Sequence, residues 1–394
     1  MSSNTQAYTL IETSAALEDF HRQNKNVSRL CFDTEFVGEK RFQTLLCLVQ
    51  VISEQGTYLI DPLKVKDLGP LLDLLADPAI QKVTHAGEND YRLLHTQYGL
   101  IPQNTFDTQV AAGFLGYKYP ISFARLVESE LNVRLGKGYA VTDWESRPFS
   151  PQQLSYAIDD VRYLPELVER LTRKLEKQGR LHWAREEFAE MERPEYYAKD
   201  PNREALNSKL IRNLKTKEQL FLVRLLAWRT EEARRLDYSR EMILPSRLIS
   251  QIVRSIRSGV NALRGNRRLP DKLVQKHGAR FEEMYKAPPT AEEKAILAQI
   301  PQDHGEDQEQ DLVVEMLHLL VRYKCLQEQI SPAIVLPRNV LKELKGEDPD
   351  SYHPSLDGGW REEFLGEGLT RWLRERHQLD IEFDHDRFEL KLKD

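Results

Sequence analysis

Cys31-Phe32-Asp33-Thr34-Glu35-Phe36 is the stretch from which this chain is best read. Apolar residues flank two acids in what otherwise reads as a buried strand. Residues two apart on a strand point the same way, so both carboxylates project from one face. Burying two like charges side by side is costly unless a cation or strong donors compensate. The alternative is a strand end whose acids reach solvent. Further acids downstream separate the two readings.

Working outward, Leu30–Phe36 is a first strand, Leu45–Ser53 a second and nearly continuous apolar run, and Thr57–Ile60 a third ended by Asp61-Pro62. Three short strands in succession predict an antiparallel meander. Before them, residues 1–27 read as a lead-in, with Thr13-Ser14 starting a helix over Ala15–Arg22. After them come a helix over Leu68–Ala76, a strand at Gln81–His85, and Ala86-Gly87-Glu88-Asn89-Asp90 leading into an amphipathic helix to Tyr98. A short strand at Thr105–Asp107 follows, with Asp107 placed to cap a helix over Thr108–Leu115. Strand–helix alternation after a meander predicts an α/β domain with a mixed sheet. Residues 133–149 read as an irregular loop near the site.

Ser150-Pro151-Gln152-Gln153 is a helix start, with a cap, a proline at the first position and a glutamine at the third. The periodicity predicts one helix from there to about Lys177. Tyr156 and Asp160 are one turn apart on it and share a face. Asp159 is a rival to Asp160, because spacings of three and four both keep a helix face. A tyrosine hydroxyl bonded to a buried acid is the structural alternative to a functional pair.

Asp33, Glu35, Asp90, Asp160 and Tyr156 are therefore the candidates for chemistry. Several carboxylates converging on an α/β sheet, with no Cys or His cluster, favour a hard cation such as Mg²⁺ or Mn²⁺. Two such ions about 3.5–4 Å apart can clamp the attacking and leaving oxygens of a phosphodiester. A phenol at Tyr156 can orient the attacking water or accept its proton.

The other function classes narrow quickly. The 394 residues, 40% apolar and 30% charged, fit two or three globular domains. No run of about 18 apolar residues exists, which excludes a membrane-spanning helix by sequence. Met-Ser-Ser-Asn-Thr-Gln lacks signal-peptide character, so a cytoplasmic location is expected. Cys31, Cys47 and Cys325 lack metal-ligand spacing and read as reduced core thiols. No Walker-type glycine loop is present. The net charge of −6 hides an asymmetry, since residues 202–290 carry 20 Lys and Arg against 9 Asp and Glu while both flanking segments are acidic. A basic module between acidic ones predicts a polyanion-binding surface. Beyond a charged connector at 178–216, Glu218–Arg235 is an amphipathic helix with Leu222, Leu225, Leu226 and Trp228 inward. Leu312–Gln329, Leu336–Leu344 and Trp360–His377 also read as helices, and the stretches around Asp384-His385-Asp386 as a small hairpin.

Three stretches then carry a resemblance. Asp33-Thr34-Glu35-Phe36, His85-Ala86-Gly87-Glu88-Asn89-Asp90 and Tyr156-Ala157-Ile158-Asp159-Asp160-Val161 resemble the three exonuclease motifs of the ribonuclease D family, in the tyrosine subclass of the DEDD 3′→5′ exonucleases. Thr142–Ser150 with Gln153-Leu154 is similar to that family's lead-in to the third motif. Leu226-Ala227-Trp228-Arg229 with Glu231-Glu232-Ala233-Arg234 resembles the first helix of an HRDC module, and Gly359-Trp360-Arg361 with Gly366-Glu367 resembles, more weakly, a second one. Thr44-Leu45 departs from the family's Pro-Gln, near contacts to the terminal nucleotide, whereas Gln50 matches.

The resemblance implies a ribonuclease H-like α/β catalytic domain at 1–201, a basic HRDC domain at 202–290, and a second HRDC-like module with a C-terminal β-hairpin at 291–394. It implies two divalent ions, with Asp33, Glu35 and Asp160 on the first, Asp33 bridging to the second, and Asp90 supporting that one through water. The Tyr-x-x-x-Asp spacing chooses Asp160 over Asp159, and Tyr156 positions the attacking water. Asp107 and Asp143 are read as cap and loop structure. Phe36 and His85 are candidate substrate contacts, with core roles as the alternative. Arg234, Arg235, Arg264, Arg267 and Arg268 are candidates for nucleic-acid grip. The expected activity is metal-dependent 3′→5′ trimming of single-stranded RNA 3′ ends, in tRNA precursors or other structured RNA. The expected protein is a monomer without an obligate protein partner or membrane contact. A 3′→5′ DNA exonuclease and a non-catalytic nucleic-acid adaptor are the alternatives.

Overall fold

The structure, a computed structural model, describes residues 7–136, 143–198, 201–300, 308–337, 340, 358–375, 380–384 and 389–393. Its first elements are β1 (Thr9–Ile11), α1 (Ser14–Asn24), β2 (Arg29–Val37), β3 (Leu45–Ser53), β4 (Gly56–Ile60), α2 (Gly69–Ala76), β5 (Gln81–Thr84), α3 (Glu88–Tyr98), β6 (Thr105–Asp107), α4 (Thr108–Phe114) and α5 (Phe123–Leu131). There follow α6 (Pro151–Arg162), α7 (Leu164–Lys177), α8 (Leu181–Met191) and α9 (Pro194–Tyr197). The six strands form one mixed sheet in the order β1-β4-β3-β2-β5-β6. β3 and β4 are antiparallel, while β1–β4, β2–β5 and β5–β6 are parallel.

β2 organises the sheet. Its residues Arg29–Cys31 pair with Gln81–Val83 of β5, so Asp33 and Glu35 lie beyond the paired stretch, toward the carboxyl end of the strand. Leu30 and Phe32 enter one apolar cluster and Cys31 the other, the alternation a strand requires. Asp33 and Glu35 therefore share the face of Cys31, on the side where Val161 and Leu164 pack.

The chain divides into two compact units. The first joins residues 1–36, 46–197 and 306–394, and the second joins 37–45 with 198–305. The stretch 291–394, expected as one module, is thus shared between the two. The reason is in the side chains: Leu317, Leu320, Val321, Trp360, Phe364 and Leu369 lie in the same apolar cluster as Phe114, Leu164 and Leu167. The second unit has its own core around Phe221, Leu225, Leu244, Ile252 and Phe281. It is helical, with α10 (Arg203–Leu206), α11 (Lys209–Arg212), α12 (Thr216–Leu236), α13 (Arg240–Ile243), α14 (Ser246–Ser255), α15 (Val260–Gly265), α16 (Asp271–Lys286) and α17 (Ala291–Ala298). Segment 37–45 is tied to it by Ser239 N–H donating to the Lys40 carbonyl (3.1 Å) and Gln43 N–H donating to Asp237 (3.0 Å). The remaining elements, α18 (Gln308–Glu328), α19 (Pro332–Val335), α20 (Gly359–Glu375) and the antiparallel pair β7 (Asp380–Asp384) and β8 (Glu389–Lys393), belong to the first unit.

Several sequence expectations change. β1 lies in what reads as a lead-in, because three residues carry no periodicity. The single helix to Lys177 is two, broken at Tyr163 where Pro165 starts α7. A proline removes an N–H and forces a new first turn. Among the described residues the connector 178–216 holds four helices, and α20 kinks at Gly366 (φ 80°). Trp228 is half-buried, packed edge-on against Phe281 at 5.0 Å. Most of the helix expected at Leu336–Leu344, the turn at 385–388 and loop residues 137–142 lie outside the described residues. Among the described residues no helix is long and apolar enough to cross a membrane.

Candidate active site

Three local structures deliver the candidate side chains. β2 presents Asp33 and Glu35. α3 carries Asp90 in its first turn. That turn is seated by Asp107, whose Oδ2 accepts the Gly87 N–H at 2.8 Å while Oδ1 caps α4 through Gln109 (2.8 Å) and Val110 (3.0 Å). A Cβ at position 87 would meet Thr84 Oγ1 at 2.5 Å, so only glycine allows this approach. α6 begins with the Ser150–Gln153 capping box and carries Tyr156 and Asp160 one turn apart.

One oxygen each from Asp33, Glu35 and Asp160 lies within 4.8 Å of the others. Asp90 stands outside this trio and accepts a hydrogen bond from Thr34 Oγ1. Burial pushes the Asp33 carboxyl well above the usual carboxylate range, and the charges of Asp90, Asp160 and Glu35 add to it. Burial, then Asp160 and Asp90, raises Glu35 to about 8. Asp160 rises to about 7 through burial and its neighbour Asp159, with the nearby Tyr156 hydroxyl acting the other way. Asp90 rises to about 7, chiefly through burial. Four acids held this far from their ordinary values are an electrostatic debt that a cation would remove. Asp160 Oδ2 is buried and has no hydrogen-bond partner among the described residues. Oxygen-only donors, grouped and under-satisfied, fit a hard divalent ion.

Tyr156 is held from two sides. It stands one turn before Asp160 on α6, and its ring lies 6.2 Å from the buried Trp144. Trp144 belongs to the lead-in loop, which Arg147 fastens down. The guanidinium grips the fully buried Asp61 carboxylate with two bonds (2.6 and 2.8 Å), donates to the Cys47 and Trp144 carbonyls, and lies 3.8 Å over the Phe149 ring. Sequence reasoning missed Arg147 as a positioning residue. The signal was present in Asp61, an acid at the end of a buried strand that needed a cation. A cavity of about 420 Å³ opens beside the tyrosine, lined by Phe123, Leu135, Gln152, Ser155 and Asp160 among others.

The remaining candidates are placed as follows. Asp159 faces Arg162 at 3.9 Å and lies outside the carboxylate trio. Asp143 accepts from Ser146 and from the Glu145 N–H, which is loop structure. His85 has both ring nitrogens engaged, with Thr108 Oγ1 at 2.9 Å and the Ile121 carbonyl at 3.0 Å. Phe36 is 38% exposed directly after the two acids. In the second unit Arg234 and Arg235 pair with Glu231 and Glu232. Arg264, Arg267 and Arg268 are exposed and form no ion pair among the described residues.

Residues 8–176 match the 3′-5′ exonuclease family model, and residues 218–284 match the HRDC domain model. A ribonuclease D of Bartonella henselae is 30% identical over 371 residues, 93% of this chain and 90% of its own length. The chain belongs to the ribonuclease D family. A ribonuclease D of Granulibacter bethesdensis is 31% identical over 91% of both chains. The crystal structure of Escherichia coli RNase D, an exoribonuclease involved in structured RNA processing, superposes with a TM-score of 0.81 at 27% identity, over 94% of this chain and all of that one. The chain is accordingly a 3′→5′ exoribonuclease, and the readings as a DNA exonuclease or a non-catalytic adaptor fall away. Membership also implies use of a divalent metal, which the carboxylate cluster fits.

Proposed function

We propose that the chain removes nucleotides one at a time from single-stranded RNA 3′ ends, releasing nucleoside 5′-monophosphates, in the cytoplasm. Precursor tRNA or other structured RNA is the substrate class, in keeping with what is stated of the Escherichia coli relative. Two divalent ions, Mg²⁺ or Mn²⁺, serve the reaction. Asp33, Glu35 and Asp160 would hold the first, and Asp33 with Asp90 would serve the second. When bound, such ions supply Lewis acidity at the phosphodiester and lower the pKa of water.

The chain's own residues do the rest. Water oxygen bonds to phosphorus, the bond from phosphorus to the 3′-oxygen of the preceding nucleotide breaks, and that oxygen takes up a proton. Tyr156 orients the water. Burial and then the charges of Asp160, Glu35 and Asp33 hold its phenol well above the ordinary range, so the hydroxyl keeps its proton and acts as a donor. The three carboxylate oxygens within 4.8 Å of one another, with Tyr156 one turn from Asp160 on α6, are the observation that carries this reading.

Digestion of 3′-labelled and 5′-labelled RNA and DNA strands with Mg²⁺ or Mn²⁺ tests it. Labelled mononucleotide should leave the 3′ end of RNA first. Asp33→Asn should lower the rate by more than about 100-fold, since loss of even an outer partner of a metal ligand costs about 10- to 100-fold. Equal rates for wild type and variant would refute the assignment.

A further inference from the structure

The cavity of about 420 Å³ beside Tyr156 has the size of a small-molecule site, which runs to about 300–1,000 Å³. Its lining joins Phe123 and Leu135 to the polar Gln152 and Ser155. Asp159 and Asp160 also line it, and among the described residues no lysine or arginine does. A phosphate would meet two carboxylates there with no basic side chain to match it. A flat, uncharged group would instead meet a ring, an aliphatic chain and hydrogen-bonding side chains.

Phe123 is the first residue of α5, is half-buried, and packs against His85. The two rings lie 5.2 Å apart, tilted by 58°. His85 Nε2 lies 3.0 Å from the Ile121 carbonyl, two residues before Phe123. A carbonyl only accepts, so Nε2 carries the proton. Gln109 donates to the same carbonyl at 2.8 Å. His85 Nδ1 is engaged at 2.9 Å with Thr108 Oγ1, next to the Asp107 that seats the Gly87 N–H. This histidine therefore has no nitrogen left for RNA. It fixes the backbone and the ring of the cavity wall instead.

We propose, resting on the 3′→5′ trimming read from the site, that Phe123 is the platform on which a nucleobase adjoining the scissile phosphate stacks, and that His85 positions it. Stacking on an aromatic ring is indifferent to base identity, because every base has a π-face. That suits a site through which successive nucleotides of any sequence must pass. His85 acts through Phe123 and touches neither the RNA nor the carboxylate trio.

The test compares kcat/KM of the full chain on three labelled RNAs: one with every base, one without the 3′-terminal base, and one without the penultimate base. Phe123→Ala should lower kcat/KM about 5- to 150-fold on the intact strand, the span covered by stacking of one base. On one of the two strands lacking a base the same variant should match wild type within about twofold, since the stacked partner is already gone. Phe123→Tyr keeps a ring and should keep the wild-type rate on the intact strand. His85→Ala and the milder His85→Gln should repeat the pattern of Phe123→Ala, and joining His85→Ala to Phe123→Ala should add little. A merely structural role would lower the rate on all three RNAs alike. A wild type inactive on every strand would overturn the exonuclease reading and the platform with it. An active wild type whose Phe123→Ala variant equals it on intact RNA, or falls equally on all three RNAs, would overturn the platform alone. A fall equal on all three RNAs in the His85 variants would overturn the positioning role of His85.

Discussion

Tyr156 and Glu35 are the residues at which the proposed site is most open to attack by experiment. Tyr156→Phe removes one hydroxyl from a ring that Trp144 continues to hold, so the carboxylate trio should keep its metal. Loss of a positioned proton-handling group costs about 10²- to 10⁴-fold. The variant should lose that much in kcat with little change in KM or in metal affinity by calorimetry, and a proportionate fall in metal affinity would make Tyr156 a structural residue instead. Glu35 gives a second prediction through pH. In the metal-free protein its carboxyl is raised from 4.5 to about 8, and Asp90 and Asp160 shift the same way. The unfolded chain loses these protons first, so the stability they confer is full below about pH 4.5 and is lost as pH rises toward 8. A bound cation reverses the penalty. Mg²⁺ or Mn²⁺ should therefore raise the melting temperature over an EDTA control more at pH 8 than at pH 5, and Glu35→Gln should flatten the difference. An equal gain at both pH values would count against a cation among these acids.

At the scale of elements, what the sequence discloses follows the range of the signal. The strands and helices around the three motifs are legible because side-chain period and capping are local: Leu45–Ser53 keeps its predicted ends, and Ser150 starts α6 through its capping box. The one-turn spacing of Tyr156 and Asp160 is equally local. Properties set by partners far along the chain are not legible in this way. β1 exists because Thr9–Ile11 pairs with Tyr58–Ile60. Arg147 has meaning only with Asp61, 86 residues away. α20 looks like part of a separate module until Trp360 is seen against Phe114, with ring centroids 4.7 Å apart, and donating from Nε1 to Glu187 at 2.7 Å. Burial of such a ring is worth about 3–5 kcal/mol against alanine. Trp360→Ala should cost the first unit that much in denaturant unfolding. A loss within about 0.5 kcal/mol, the range of ordinary surface changes, would mean that α20 contributes little to the unit's stability.

For the molecule as a whole, the distribution of charge separates chemistry from grip. The acids of the candidate site belong to the first unit, whereas residues 202–290 carry the excess of 20 basic over 9 acidic side chains. Local geometry sorts the basic candidates. Arg234 and Arg235 are already matched by Glu231 and Glu232 one turn away, so a phosphate would have to compete for them. Arg267 and Arg268 are exposed with no ion pair among the described residues, and they stand ready for an anion. Each phosphate neutralised on a single strand releases condensed counterions and contributes about −0.7 to the slope of log K against log salt. Arg267→Ala with Arg268→Ala should therefore make that slope shallower by about 1.4 if both touch RNA. KM should rise most at low salt, while kcat at saturating RNA stays at the wild-type value, because no group of the carboxylate site is altered. Arg234→Ala with Arg235→Ala should change the slope less. Titrations of a labelled RNA across a salt series measure both, and a slope untouched by Arg267→Ala with Arg268→Ala would move the grip to other cations of the helical unit.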